Sequence, residues 1–340
     1  MFMRSSVLQK IEILLFCRMS SMQIEAASYS KYRNGVRNGD DVILTIPGSV
    51  YAVFDGATDV RGTIVNGVPA GRFAALAVAQ ATAELMCDIS NRRLPAEAIF
   101  ESLSHNLHRG TESAAFIIPP STTVALALDC DHEWRFLLLG DSGIRLNGTT
   151  ILQPNKLIDK VSTSARVALF KHFREKFGPD SLDEAEMATR RAIFLGLDQA
   201  IAENKVTTTL AHQIMEHAII NCNLLDYSDA VRNFLTRGIC KQYHYANSPG
   251  YIFSFDTMNG TPPCLGQWID QRYSKEEIHS IEIFSDGFPT PPKTINLADW
   301  QSTFNKIERE DFHMLGDFAS VKGATSAEHY DDRSIVILKR

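Results

Sequence analysis

Val50-Tyr51-Ala52-Val53-Phe54-Asp55-Gly56 is a short run of β-branched and aromatic residues that ends on an aspartate and a glycine. The pattern returns at Trp134-Arg135-Phe136-Leu137-Leu138-Leu139-Gly140-Asp141-Ser142 and at Ile281-Glu282-Ile283-Phe284-Ser285-Asp286-Gly287. It is mirrored at Asp331-Asp332-Arg333-Ser334-Ile335-Val336-Ile337-Leu338, where the aspartates come first. Apolar runs of this length, bounded by Gly and Asp, read as buried strands. A carboxylate recurring where strand meets loop gathers several acids at one sheet rim, and gathered acids repel unless a cation lies among them. The pattern points to a divalent-metal site.

Around these runs, residues 23–28 and 42–46 read as further strands, with Pro47-Gly48 turning the chain into the run at Val50. Residues 71–88 are Ala-rich and apolar on more than one face, which predicts a helix packed on a sheet, and 95–108 predict a second helix. Residues 122–128 and 134–139 form a hairpin by pattern. From about 155 to 241 the chain is mainly helical, with helices expected over 182–205 and 208–230. Residues 251–254 then look strand-like. Strands on both sides of a helical block, with antiparallel hairpin signals, argue for an α+β domain over a doubly wound parallel sheet. Residues 22–340 read as one domain carrying a helical insertion. Residues 1–21 read as a disordered N-terminal extension, with Met22 an alternative start; their apolar stretch Ile11-Glu12-Ile13-Leu14-Leu15-Phe16 is too short and interrupted for a signal peptide or a membrane span.

The 340 residues, 44% hydrophobic and 22% charged, have the make-up of a globular protein. A net charge of -6 without a basic stripe argues against nucleic acid as a partner, and no segment of membrane-spanning length argues against a membrane. Six cysteines (17, 87, 130, 222, 240, 264) include no C-x-x-C pair, so they read as reduced thiols of a cytoplasmic protein, not as a disulfide framework or zinc site.

Asp40-Asp41, Asp55, Asp141, Asp286 and Asp331-Asp332 each sit at a loop or strand end. Oxygen donors without His or Cys favour Mg²⁺ or Mn²⁺. The glycines after Asp55 and Asp286 allow close backbone approach, and the Gly56 carbonyl can itself serve as a ligand. His212 and His217 are five apart, roughly 140° around an ideal helix, which is poor for shared ligation. Gly140-Asp141-Ser142-Gly143 also looks like the nucleophile motif of chymotrypsin-like proteases, but no suitable histidine element precedes it. Phe54-Asp55-Gly56-Ala57-Thr58 lacks the second aspartate two residues on that a haloacid-dehalogenase-type phosphatase needs as general acid. Lys171, Arg174 and Lys176 read as a solvated basic helix face.

Taken in order, the motifs resemble those of the metal-dependent protein phosphatases, the protein phosphatase type 2C family. Asn38-Gly39-Asp40-Asp41 is similar to the family's N-x-E-D, and Val53-Phe54-Asp55-Gly56 to its V-x-D-G. Ser121-Thr122-Thr123-Val124 with Leu139-Gly140-Asp141-Ser142 resembles the G-T-T and G-D-S strand pair. Ser285-Asp286-Gly287 and Asp331-Asp332-Arg333-Ser334 resemble S-D-G and the terminal D-[ND]-x-[TS]. The resemblance spans about residues 22–340.

The resemblance implies two antiparallel β-sheets sandwiched between helices (α-β-β-α), with metals at one end. It implies two Mg²⁺ or Mn²⁺ ions, Asp55 bridging them, Gly56 carbonyl and Asp40 on one side, Asp286 and Asp331 on the other, and Asp141 helping to bind a third. Asp41 belongs to the same acidic set, and Asp55, Asp286 and Asp331 are the residues expected to be catalytic. The activity implied is hydrolysis of phosphoserine or phosphothreonine in proteins by a metal-bridging hydroxide, opposite a cognate kinase. This chain departs from the pattern in three places. Ala57-Thr58-Asp59 replaces the His-Gly-Gly that often follows V-x-D-G. Asp40 stands where Glu is usual. The phosphate-binding arginine's position is Val36, leaving Arg37 and Arg33 as candidates. Two alternatives follow: a phosphatase-like sensor or scaffold of little or no activity, and a phosphatase of small phosphate esters.

Overall fold

In the computed structural model, which describes residues 22–59, 61–65, 67–112 and 116–340, the apolar runs become strands. The extension expected at 1–21 lies outside the described residues. Strands β1 (Gln23–Tyr29), β2 (Val42–Ile46) and β3 (Val50–Phe54) precede a short hairpin, β4 (Ile64–Val65) and β5 (Val68–Pro69), and helices α1 (Ala70–Met86) and α2 (Ala96–Thr111). Next come β6 (Val124–Cys130), β7 (Glu133–Leu139), β8 (Gly143–Leu146) and β9 (Thr150–Leu152). Helices α3 (Leu157–Phe177), α4 (Leu182–Leu195), α5 (Leu197–Ala202), α6 (Thr208–Asn221) and α7 (Ser228–Arg237) form a block. The chain ends with β10 (Trp268–Ser274), β11 (Ser280–Phe284), α8 (Leu297–Glu310) and β12 (Arg333–Lys339).

The strands pair antiparallel in two five-stranded sheets, ordered β1-β12-β11-β8-β9 and β10-β7-β6-β3-β2. Alternation along each strand sends one residue set inward and the other outward. Val53, Ala125, Phe136 and Leu138 of one sheet meet Ile144, Ile281, Ile283 and Val336 of the other. Val50, Ala52 and Phe54 face outward onto Ala74, Ala75 and Val78 of α1, with Ile99 and Phe100 of α2 completing that core. The small α1 side chains let the helix lie close to the sheet while α2 covers its back. On the opposite face Ile335 and Ile337 pack on Trp300 and Phe304 of α8. Each large apolar side chain fully removed from water contributes on the order of 2 kcal/mol. The layers are α-β-β-α, as the resemblance implies, and the helical block carries its own core around Phe170, Phe173, Ile214 and Phe234.

Three local expectations need correction. The helix expected over 182–205 breaks at Gly196, which caps α4 by donating its N–H to Ala192 O. Gly196 and Gly238, both at positive φ, lie backbone to backbone, and a Cβ on Gly196 would meet the Thr236 carbonyl and stand 2.7 Å from Gly238 N. The helix expected over 208–230 stops at Asn221, where Asn223 takes the left-handed conformation (φ 56) that favours Asn after a helix end. Residues 251–254 are a turn: Ser254 N–H donates to Tyr251 O, and Phe253 plugs the helical core between Phe234 and Tyr245.

A candidate metal centre at the sheet rim

The register brings the expected acids to one edge of the sandwich. Val42 at the start of β2 faces Phe54 at the end of β3, and Val124 at the start of β6 faces Leu139 at the end of β7. Phe284 at the end of β11 lies between Gly143 and Ile335, and Tyr29 at the end of β1 faces Arg333 at the start of β12. Asp41, Asp55, Asp141, Asp286 and Asp331 each lie one or two residues beyond these ends, so all five emerge on the same rim, with Asp40 beside Asp41.

Backbone contacts fix the loops. The Asp55 N–H donates to Thr123 Oγ1 at 3.1 Å, and Asp55 O accepts from Thr122 Oγ1 and the Thr123 N–H, both at 2.8 Å. Thr123 and Ser142 share a 2.6 Å hydroxyl contact that links the Asp55 and Asp141 loops. A Cβ on Gly56 would stand 2.5 Å from the Gly71 carbonyl and 2.7 Å from Asp40 O, so only glycine lets these three segments close up. From α1, Arg72 Nη1 donates to Gly39 O at 2.8 Å and Asp41 O at 3.1 Å, holding the loop ahead of β2. Asp332, the second acid of the Asp331-Asp332 pair, accepts the Lys31 N–H at 2.6 Å and the Asp40 N–H at 3.0 Å.

The charges are unevenly answered. Lys31 is buried, with Nζ 3.5 Å from both Asp40 and Asp332 and donating to Thr58 Oγ1 at 2.9 Å. Lys322 pairs with Asp331 at 2.9 Å, and Lys156 with Asp141 at 2.8 Å. No cationic side chain pairs with Asp41, Asp55 or Asp286 among the described residues. Asp41 is 3% exposed; its Oδ2 accepts from Ser285 Oγ at 2.7 Å, while its Oδ1 is buried without a partner. Burial first, then repulsion from Asp332, pushes its carboxyl up to about 7. Asp55 and Asp286 stand within hydrogen-bonding reach of each other. Withdrawal from bulk water first, and then repulsion from surrounding aspartates, raises both well above the usual carboxylate range. Asp331 is instead lowered: withdrawal from water opposes the shift, and Lys322 and Lys31 overcome it.

Among the described residues no three of these side chains close around a single point. Yet the donor set fits a divalent cation. It consists of carboxylates alone, one buried oxygen has no partner, and Asp55 and Asp286 stand side by side with no cationic side chain paired to either among the described residues. Of the two arginines expected at the phosphate, Arg33 pairs with Glu308 at 2.7 Å and donates from Nε to Thr325 O at 3.0 Å. Arg37 is exposed, its guanidinium 5.1 Å from the Tyr32 ring centroid. Sequence reasoning missed Lys31, Lys156, Lys322, Arg72 and Ser285 as site residues. The lysines lie in loops where no periodicity or spacing marks them; Ser285 is part of the S-D-G motif and was within reach.

No family model and no curated protein matches the chain. Among solved structures it is similar to the Mycobacterium tuberculosis serine/threonine phosphatase PstP/Ppp at 13% identity, covering 94% of this chain and 98% of that one with a TM-score of 0.44. The catalytic domain of PstP in complex with 2 manganese ions is 13% identical, with 94% and 99% covered and a TM-score of 0.42. Serine/threonine phosphatase Stp1 from Staphylococcus aureus is 11% identical, with 94% and 95% covered and a TM-score of 0.43. The functional reading rests on the rim acids of this chain.

Proposed function

We propose that this chain is a Mg²⁺/Mn²⁺-dependent phosphatase acting on phosphoserine or phosphothreonine in proteins. The observation that carries this reading is that Asp41, Asp55 and Asp286 emerge on one rim with no cationic side chain paired to them among the described residues, and that one buried Asp41 oxygen is unpartnered. Asp40, Asp41, Asp55, the Gly56 carbonyl, Asp286 and Asp331 would hold two ions. Bound ions supply a nucleophilic water and offset charge on the phosphoryl oxygens. The protein's own part is to fix the backbone of the acid-bearing loops through Thr122, Thr123 and Arg72 and the Asp41 carboxylate through Ser285, and to keep cationic side chains at the rim. Arg37, on the exposed loop ahead of Asp40, is the arginine we assign to the incoming phosphate, because Arg33 is committed to Glu308. No histidine follows Gly56, so water or another residue would protonate the leaving alkoxide. The phosphoprotein substrate, a kinase acting opposite it and a cytoplasmic site of action belong to the same proposal. Among the described residues no helix is long and apolar enough to cross a membrane.

The test is Mn²⁺-dependent hydrolysis of p-nitrophenyl phosphate and of a phosphothreonine peptide. Activity on both, abolished by Asp55→Asn, Asp286→Asn or Asp331→Asn, is the expected result. Near wild-type turnover in any one of these variants would count against the assignment. Turnover of p-nitrophenyl phosphate alone would shift the reading to small phosphate esters. The ion pairs of Lys322 and Lys156 with expected ligands, and the missing histidine, favour a second reading, a metal-binding scaffold; bound Mn²⁺ with no turnover would establish that one.

A further inference from the structure

Asp141 leaves β7 with its carboxylate already engaged. Lys156 Nζ donates to Oδ2 at 2.8 Å, and Gln153 Nε2 fixes the Asp141 carbonyl at 2.7 Å. Lys156 is the N-cap residue of α3 and makes no capping hydrogen bond. That position normally carries Ser, Thr, Asp or Asn, and a cation there opposes the helix dipole. The lysine is explained by what its ammonium meets: the Asp141 carboxylate, and the Phe255 ring with its centroid 5.5 Å away, while Asp159 in the first turn of α3 adds attraction from further off. The ammonium borders a cavity of about 290 Å³, whose walls include Gly140, Leu157, Ile252, Phe255 and Trp268.

We propose that Lys156 is a resident counter-ion that takes the place of a third divalent ion at Asp141, so that the centre loads two ions. The proposal rests on the metal-dependent reading given above. An ammonium hydrogen-bonded to Asp141 Oδ2 repels a divalent ion approaching the same oxygen. It also neutralises Asp141 without any demand on the metal concentration. Removing the ammonium leaves the Asp141 carboxylate without its ion partner, next to a cavity that Gly140 and Lys156 line. Lys156 is therefore a positioning residue: it holds Asp141 and sets the number of ions.

The measurement is the number of Mn²⁺ ions bound per chain at saturation, from the electron paramagnetic resonance signal of the unbound ion. Wild type should bind two, Lys156→Met three, and Lys156→Arg, which keeps the charge, two. The double variant Lys156→Met/Asp141→Asn should return to two. Lys156→Gln replaces Lys156→Met if the latter does not fold. Three ions in wild type, or no gain in the uncharged variant, overturns the proposal. No ion in wild type defeats the metal-dependent reading instead; the role of Lys156 is then decided by whether the uncharged variant gains one ion over wild type.

Discussion

Ser285 Oγ donates a 2.7 Å hydrogen bond to Asp41 Oδ2, tying the end of β11 in one sheet to the loop ahead of β2 in the other. The same hydroxyl accepts the Ser334 N–H at 2.8 Å, so one small side chain joins three segments at the rim. Ser285→Ala should cost about 1–3 kcal/mol in urea unfolding, because it leaves buried polar groups unpaired. It should also weaken Mn²⁺ binding by ~10–100-fold, the usual effect of losing a residue that orients a ligand. Unchanged Mn²⁺ affinity would show that Asp41 is not a ligand.

The proton affinity of Asp41 gives a pH signature. Its carboxyl sits at about 7 in the folded protein against an ordinary 3.8, through burial first and neighbouring acids second. A carboxyl that binds its proton more tightly when folded adds stability that is complete below the unfolded value and is lost as pH rises through the folded one. In EDTA the melting temperature should therefore fall between about pH 4 and 7, and saturating Mn²⁺ should restore it. Asp41→Asn should flatten that decline.

Arg33 and Arg37 should separate cleanly. Arg33→Ala removes the pair with Glu308 and the bond to Thr325 O, and should lower stability by about 1–2 kcal/mol. Arg37→Ala should leave the melting curve in place and raise KM for p-nitrophenyl phosphate several-fold. An unchanged KM would remove Arg37 from the phosphate.

Gly196→Ala forces a side chain at positive φ into the backbone of residues 236–238. A loss of roughly 2–4 kcal/mol is expected, with the helical block affected first in hydrogen exchange. Stability within ~0.5 kcal/mol of wild type would mean that the two glycines do not pack as described.

The acids were legible because each adjoins a strand that the apolar runs reveal: Asp55 follows Phe54, and Asp286 follows Phe284-Ser285. Their partners were not. Lys31, Lys156 and Lys322 reach the rim from loops, and a lysine in a loop has the same local pattern whether it faces water or a carboxylate. The helical block was readable in outline, but its breaks were not, since a glycine inside an apolar periodic stretch does not announce the backbone that will pack against it. Strand β10 was missed for a related reason. Trp268-Ile269-Asp270-Gln271-Arg272-Tyr273-Ser274 is an edge strand with a polar middle, and Arg135, buried on its neighbour β7, takes Asp270 as its ion partner at 2.7 Å.

The ladder that sets Phe284 against Ile335 has a second effect beyond cohesion. Side chains alternate along a strand, so sliding β12 by one position would carry Asp331 away from Asp286 in the same movement that turned Ile335 and Ile337 out of their layer. Misaligned chains would thus be both poorly packed and chemically blank. Quality control that discards the first would remove the second without having to recognise it.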